Sequence, residues 1–474
     1  MAVLLGACVA ARGEDASAGH FVRVSPRDAR YLETDDGRAY VPIGLNLVYP
    51  PFVKGGGGNG TDAVRLAALD EWLGKLAANG GNYIRVWLSN GFYEVEHERA
   101  GQYDPERAGQ IDAMLAIARK HGVRVKMTVE HFREIDPVNP RQAWATKALH
   151  HTSRGGLAAS MEQWLDSPAT RKQFVGKLEF LAGRYRDNPT VYGWELWNEM
   201  NAIRGKGDYL SWTKAMLPEL HRLFPRHLAM QSLGSFDTSG VRAPYRVMAT
   251  LPGNDVAQVH RYLDLGAKLE VCHGPVDVLA ADSVRELLAA NPGRPVILAE
   301  SGAVEPSHAG PFKLYPKDKQ GILLHDVLFA PFFAGAAGAG QCWHWDQYVH
   351  ANDLWWQFGR FAAAVKGVDP AAEAFEPLMV EHDAVRVYVL KGKRTILAWC
   401  RDKGSDWKSE LADGKEPAKL TALKVAFGGH AKGFDAAKVR VYDPWADRWT
   451  DGKLVAGEVA LPEFARSIVV RIER

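Results

Sequence analysis

The stretch Phe174-Val-Gly-Lys-Leu-Glu-Phe-Leu-Ala-Gly-Arg-Tyr-Arg-Asp-Asn-Pro-Thr-Val-Tyr-Gly-Trp-Glu-Leu-Trp-Asn-Glu199 decides the fold class. Its first half sets Phe174, Leu178, Leu181 and Tyr185 at helical spacing, which predicts a helix with one apolar face. Asn188-Pro189 breaks that pattern, because proline has no backbone N–H and restricts the residue before it. The second half is a short apolar and aromatic run, the pattern of a buried strand, and it delivers a carboxyl group, Glu199, at its end. A helix followed at once by a buried strand is the repeating unit of parallel α/β folds.

Working outward, the unit recurs from residue 62 to about residue 365. Leu69, Trp72, Leu73 and Leu76 mark a helix over 62–79 that Gly80-Gly81 stop, and a strand over 83–88 follows. Ile111, Met114, Leu115 and Ala118 mark the next helix, ended by Gly122, ahead of an alternating strand over 123–129. Further strands are expected at 41–47, 227–232, 256–260, 295–300 and 340–345. With the strand before Glu199 these make eight candidates, the signature of a (β/α)8 TIM barrel. A doubly wound open sheet is disfavoured: the glycines at 55–58 precede a polar stretch without a phosphate-loop lysine, and read as a loop. The stretch 131–173, with Trp144, His150-His151 and Gly155-Gly156, is long for a connection and is expected to overhang the barrel mouth. Residues 21–24 and 31–40, turning at Asp36-Gly37, read as a hairpin closing the opposite end.

After Asp369-Pro370 short strands at 385–390, 394–400, 423–427, 438–442 and 467–472 alternate with Gly, Asp and Pro turns, the pattern of a small C-terminal β-sandwich. The expected division is 1–19 leader-like, 20–372 barrel and 378–474 sandwich. The segment to His20 is apolar, then small and acidic, like a clipped secretory leader without its basic start, and Leu5-Gly-Ala-Cys8 resembles a lipoprotein box. A secreted or periplasmic protein is expected. No later run approaches ~18 uncharged apolar residues, so no membrane span is expected.

The chain has 474 residues, 47% hydrophobic and 24% charged, with net charge +2, which argues against a nucleic-acid or anionic-membrane partner. Four cysteines show no CxxC or His/Cys spacing, so a zinc or redox site is not expected, and without Cys8 at least one of the rest is unpaired. The 15 tryptophans offer flat apolar faces with a polar edge, suited to sugar rings as well as to packing.

Barrel enzymes carry their chemistry where strands end at the C-terminal face. Glu199 holds such a position, and so does Glu300, which closes Pro295-Val-Ile-Leu-Ala-Glu300. A carboxyl pair brought together by a fold is the apparatus of glycoside hydrolysis. Glu195 is a decoy, four residues earlier on the same strand and so roughly 13 Å deeper, within the polar barrel interior. Glu130, Asp264, Glu305, Asp346 and Asp353 are rival carboxylates near other strand ends.

Trp-Glu-Leu-Trp-Asn198-Glu199, Ile-Arg85-Val-Trp, Val-His260-Arg-Tyr262 and Val-Ile-Leu-Ala-Glu300-Ser-Gly together resemble the segments of clan A glycoside hydrolases, closest to glycoside hydrolase family 5 of the cellulase and β-mannanase type. The resemblance covers residues 40 to about 356. It implies that Glu199 is the general acid/base and Glu300 the nucleophile. It further implies that Asn198 bonds the sugar 2-hydroxyl, Arg85 pairs with Glu300 and keeps it ionised, Tyr262 donates to Glu300, and His260 lines the cleft near the acid/base. His131 is similar to the family's third-strand histidine and Asn46 to its polar first-strand residue. Trp343 or Trp345 would be the platform under the sugar, two candidates where one is usual. Ser301 stands where relatives often carry an aromatic.

The implied reaction is retaining hydrolysis of a β-linked glycan, β-mannan or β-glucan, by double displacement, with no cofactor or metal. The expectation requires carboxyl groups ~5–5.5 Å apart, against ~6.5–9.5 Å for inversion. A sugar-binding protein on the same scaffold and a transglycosylase using the same residues are the alternatives.

Overall fold

The computed structural model describes residues 19–51, 61–131, 135, 149–203, 207–434 and 437–474. The leader-like segment with Cys8, the glycines at 55–58, Trp144 and most of the stretch 132–148 lie outside the described residues.

The first described elements are the antiparallel strands β1 (Val22–Val24) and β2 (Leu32–Thr34), and the chain turns back after β2 at Gly37, whose φ of 88° suits glycine, to bridge Glu33 with Ala39. Phe21 packs edge-on against His227 with Arg226 over its ring, at the start of the fifth barrel strand, so the hairpin covers the end of the barrel remote from Glu199.

Barrel strands β3 (Gly44–Asn46), β4 (Tyr83–Trp87), β5 (Arg124–His131), β6 (Val191–Asn198) and β7 (Leu228–Met230) form one parallel sheet in sequence order. β8 (Ala257–His260) and β9 (Val296–Glu300) form a second parallel pair. Around them lie α1 (Asp62–Ala78), α2 (Pro105–Lys120), α3 (Met161–Asp166), α4 (Pro168–Tyr185), α5 (Tyr209–Leu223), α6 (Arg242–Thr250), α7 (Val276–Leu288), α8 (Ile322–Phe333) and α9 (Trp356–Val365). α1 begins at the Thr61 cap, whose side chain accepts the Val64 N–H, and α2 at the Asp104 cap followed by Pro105, the order helix starts favour. Strands and helices interleave as a (β/α)8 barrel requires.

Two seams carry the circle where regular ladders stop. Between β7 and β8, Asp255 donates its N–H to Ala229 O (2.8 Å) and accepts the Ala229 N–H on its carboxylate (2.8 Å), while Asn254 accepts the Gln231 N–H. Side chains therefore replace ladder bonds, and the strands expected at 227–232 and 256–260 are shorter than their apolar runs. The eighth strand, expected at 340–345, is reduced to single bridges from Cys342 to Leu45 and to Ser301. Asn46 N donates to Cys342 O and Trp343 N to Ser301 O, but Pro42 has no N–H to continue the ladder, and Trp345–His350 wind into a π-helical turn.

The C-terminal part departs further from expectation. Among the described residues it holds nine strands where five are expected, because edge strands Glu376–Val380 and Arg448–Gly452 and two short strands around Gly457 carry little apolar pattern. A six-stranded antiparallel sheet faces a three-stranded one over a core including Val387, Ile396, Cys400, Val441 and Ile468. The strand Thr395–Asp402 is buried along its whole length. Ile396, Ala398 and Cys400 face that core, whereas Leu397 and Trp399 pack into the barrel's apolar core. Arg401 forks onto Asp326 of α8 (2.7 and 3.1 Å) and Arg386 onto Asp277 of α7 (2.5 and 2.9 Å), so the two parts share buried ion pairs as well as apolar surface. Cys272, Cys342 and Cys400 are free and buried.

Candidate active site

The buried strand β6 ends at Asn198, and Glu199 follows with φ 52° and ψ 55°, the left-handed region that a glutamate rarely occupies. Such a conformation costs about 1–3 kcal/mol and is held here by local bonds: Glu199 N donates to Ser232 Oγ (3.1 Å) and Ala202 N to Glu199 O (2.7 Å). In a regular strand, neighbouring side chains point to opposite faces. The turn at Glu199 breaks that alternation, and both Asn198 and Glu199 border one cleft.

The cleft has a volume of about 720 Å³ and opens where the barrel strands end. Asn198, Glu199, Tyr262, Glu300, Trp343 and Trp345 border it. Carboxylate oxygens of Glu199 and Glu300 and the Nδ1 of His260 all lie within 4.8 Å of one another. That separation fits the closer of the two carboxyl spacings rather than the wider one.

The two carboxyl groups differ in their donors. Glu300 accepts a short hydrogen bond from Arg85 Nη1 and another from the Tyr262 hydroxyl at 2.7 Å. Glu199 accepts from no cation among the described residues; its neighbour is His260 Nδ1 at 2.9 Å. Burial and then the charge of Glu300 push Glu199 well above the usual carboxylate range. Burial also raises Glu300 overall; Arg85 lowers it, as the resemblance implies, and Tyr262 lowers it too, but burial outweighs both. Arg85 and Tyr262 donate to Glu300 whereas no cation among the described residues donates to Glu199, so the donors favour the charge on Glu300 and the pair's shared proton on Glu199. Burial, with the charge of Arg85, pushes His260 well below the imidazole range and keeps it neutral. Burial and Glu300 raise Tyr262 far above a free phenol, which keeps its proton on the donating oxygen.

Beneath the cleft lies a polar layer. Arg85, fully buried, donates to Glu195 (Nε 2.9 Å, Nη2 2.6 Å) and to Asn198 Oδ1 (2.6 Å) as well as to Glu300. Glu195 also accepts from Thr128 (2.6 Å), with Lys126 Nζ at 3.5 Å. Burial opposes its ionisation, but Arg85 and Lys126 outweigh burial and hold Glu195 below the usual range. Burial and Arg85 push Lys126 down to about 7.

The expected site residues thus occupy different depths. Asn46 is fully buried, with Nδ2 donating to Ala299 O (3.0 Å) and Oδ1 facing Arg85, so it braces the layer below and does not border the cleft. His131 stacks on Trp87 (4.4 Å, 23°) and bonds Ser89 (2.5 Å); Trp87, not His131, borders the cleft. Trp343 is half-buried with its ring tilted against Trp87, whereas Trp345 is 4% exposed and stands edge-on behind it, which distinguishes the two candidate platforms in favour of Trp343. Asn198 Nδ2 has no partner among the described residues and is free to meet a ligand. Of the rival carboxylates, Glu130 bonds Lys177 (2.8 Å) and Glu305 caps Lys313 N (2.9 Å), away from the pair; Asp346 borders the cleft rim. Tyr49, Asn201, Ser235, Asp237, His308 and Gln347 also border the cleft and carry no signal in the sequence, because they sit on loops and single turns beyond the strand ends that leave no periodic pattern.

Glu199, His260 and Glu300 form the one cluster among the described residues with metal-ligand spacing. A guanidinium and a phenol already occupy the Glu300 oxygens, so the donor set suits a proton and a sugar better than a cation.

No family model matches the chain. Among curated proteins it is similar to mannan endo-1,4-beta-mannosidase 3 of Oryza sativa subsp. japonica (24% identity over 231 residues, 43% of this chain and 48% of the relative). It is also similar to mannan endo-1,4-beta-mannosidase 2 of Arabidopsis thaliana (28% over 187 residues, 36% and 41%). A longer match is to putative mannan endo-1,4-beta-mannosidase 9 of Oryza sativa subsp. japonica (23% over 380 residues, 75% and 87%). The chain spans about half or less of the length of the first of these relatives. Solved structures of similar fold include a glycoside hydrolase (TM-score 0.61, 14% identity, 96% of this chain and 97% of that one) and a glycoside hydrolase family 5 protein from Bacteroides vulgatus (0.56, 15%, 96% and 93%). The endo-beta-1,4-mannanase of Thermotoga petrophila is a third (0.51, 15%, 91% and 92%). The fold is the barrel of these enzymes, and the chain resembles clan A glycoside hydrolases of the family 5 type.

Proposed function

We propose that this chain is a retaining β-glycosidase acting on β-mannan, with Glu300 as nucleophile and Glu199 as general acid and base. The observation that carries the reading is the approach of the two carboxylates within 4.8 Å on a cleft floor, one held by Arg85 and Tyr262 and the other without a cationic donor among the described residues and raised by burial. β-Mannan is favoured over β-glucan by the names of the curated relatives.

In the first step a Glu300 oxygen bonds to the anomeric carbon, the glycosidic bond breaks, and Glu199 passes its proton to the departing oxygen. Asn198 Nδ2 is available to the sugar hydroxyl beside the reacting carbon, and the half-buried Trp343 offers a face beneath the ring. In the second step Glu199, now ionised, takes a proton from water whose oxygen attacks the same carbon, and Glu300 leaves as carboxylate. His260, neutral and 2.9 Å from Glu199, can follow the acid through both charge states without adding a cation. A polymer of this kind suits a secreted or periplasmic site of action, in keeping with the leader-like start.

Incubation with β-mannan should release reducing ends, and proton NMR of the first product should show the anomer of the starting linkage. Release of the opposite anomer would overturn the retaining assignment; turnover of β-glucan but not β-mannan would overturn the substrate. Sugar binding without turnover would favour the binding-protein reading instead.

A further inference from the structure

Two residues that border the cleft, His308 and Asp237, form no hydrogen bond with either glutamate of the pair among the described residues, although the charge of Asp237 adds to the rise of Glu199. The leaving sugar must lie on the side of the acid, because Glu199 protonates the departing oxygen. The loop after β7 forms that side. Ser232 accepts the Glu199 N–H, Gly234 N donates to Asn201 Oδ1 (2.6 Å), and a Cβ on Gly234 would stand 3.8 Å from that of Glu199. Asp237 follows on the same loop. The aromatic wall of Tyr49, Trp343 and Trp345 belongs to other loops of the cleft.

His308 reaches Asp237 from the loop after β9. Its Nε2 is 3.9 Å from Asp237 Oδ2 and 3.6 Å from Asp264 Oδ2, beyond hydrogen-bond range of either. Asp264 is 1% exposed, and its Oδ2 has no hydrogen-bond partner among the described residues, although it is aimed at the imidazole. Its other oxygen accepts from Gly266 N (2.7 Å) and Ser307 N (2.8 Å). That pinch holds Ser307 and His308 at φ 62° and 56°, two consecutive non-glycine residues in the left-handed region. A Cβ on Gly266 would meet Ser307 N at 2.5 Å, so only glycine permits the approach. Backbone strain held by a buried side chain clusters where a side chain must be presented in one orientation. The presented imidazole also packs edge-on against Tyr262 (5.2 Å), the donor to Glu300.

We propose that His308 and Asp237 form the subsite for the departing sugar, the imidazole donating to one hydroxyl and the carboxylate accepting from its neighbour, with Asp264 positioning the imidazole. The inference rests on the glycosidase reading. A sugar hydroxyl is both donor and acceptor, so a donor and an acceptor side by side match two neighbouring hydroxyls and do not match an aryl leaving group.

The test compares kcat/KM of wild type, His308→Ala, Asp237→Asn and Asp264→Ala, which removes the oxygen that accepts from Gly266 N and Ser307 N, on a β-1,4-linked manno-oligosaccharide and on an aryl β-glycoside of the same glycone. Each variant should lose about tenfold or more on the oligosaccharide, the scale of a hydrogen bond to a charged group, and keep its aryl activity within about threefold. Added free sugar should accelerate wild-type turnover of the aryl substrate, as an acceptor for the glycosyl-enzyme, and fail to do so in His308→Ala. Equal losses on both substrates, or no loss on either, would overturn the subsite. Asp237→Asn changes a half-exposed side chain without touching the strained turn, so it still decides the matter if His308→Ala misfolds. A wild type inert on both substrates would overturn the glycosidase reading, and the subsite with it.

Discussion

Replacing Tyr262 by Phe removes one oxygen and nothing else from the contact that sets the nucleophile. The hydroxyl donates to Glu300 Oε2 at 2.7 Å in a site where Tyr262 is 5% and Glu300 3% exposed. A buried hydrogen bond to a charged group contributes about 1.5–3 kcal/mol. Because it acts on the ionised form only, its loss should raise the acid-limb pKa by about 1–2 units, at about 1.4 kcal/mol per unit. The sign follows from the mechanism: Glu300 must be ionised to attack, burial already raises it, and removing a donor to the carboxylate raises it further. The pH profile of kcat/KM on an aryl β-mannoside should therefore keep its alkaline limb nearly in place while the acid limb moves upward and the bell narrows. The limbs belong to the coupled pair, so the narrowing is the firmer readout. An acid limb that stays fixed, or moves to lower pH, would show that Tyr262 does not stabilise the Glu300 carboxylate.

Three further outcomes follow from the same geometry. Glu199→Ala should lower kcat/KM on an unactivated oligosaccharide by about 10²–10⁴, with a smaller effect on glycosylation by an aryl substrate, so that a burst of released phenol precedes slow turnover; a linear time course from the first turnover would contradict the assignment. Arg401→Met should destabilise the chain by about 3–5 kcal/mol in urea unfolding, because it strands the Asp326 carboxylate in the barrel–sandwich interface; a change under 1 kcal/mol would show that the interface tolerates water. Burial lowers His227 from 6.5 to about 4, so its contribution is present above pH 6.5 and is lost as pH falls toward 4, a loss of roughly 3 kcal/mol. His227→Gln should flatten that part of the stability–pH curve, and an unchanged slope would place the acid sensitivity elsewhere.

The elements legible in the sequence are those whose burial leaves a periodic mark. α1 and α2 carry apolar stripes and capping residues, and β5 and β6 carry apolar runs longer than a turn can hold, so each appears within a few residues of its expected place. The eighth strand had the composition of a strand, but Pro42 opposite it withholds a donor and Trp345 leaves in a π-helical turn, facts about a neighbour and not about the run itself. The seam at Asp255 was hidden for a similar reason: a carboxylate completing a backbone ladder looks like any loop aspartate. In the cleft, Glu199 and Glu300 were visible because each closes an apolar strand. His308 and Asp237 were not, since they lie on loops without period and meet only in three dimensions. His131 and Asn46 are candidates only through the family resemblance, and the structure places one behind Trp87 and the other below Arg85.

Glu195 looked like a bystander because of its depth, and its contacts give it a larger part. It lies on β6 and Arg85 on β4, with β5 between them, so both point into the barrel toward Glu300 on β9. The guanidinium donates to both carboxylates at once, and Glu195 receives two of its hydrogen bonds. Much of the positive charge is thereby matched before it reaches the cleft. A lone arginine beneath Glu300 would bind that carboxylate as an ion pair and dull its attack, while also drawing the proton off Glu199. With Glu195 in place, the net positive charge beneath Glu300 is smaller, and the charge of Glu300 raises the neighbouring Glu199. Glu195, one layer below both carboxyl groups, raises each of them and offsets the pull of Arg85, while the direct donors to Glu300 tell the two apart.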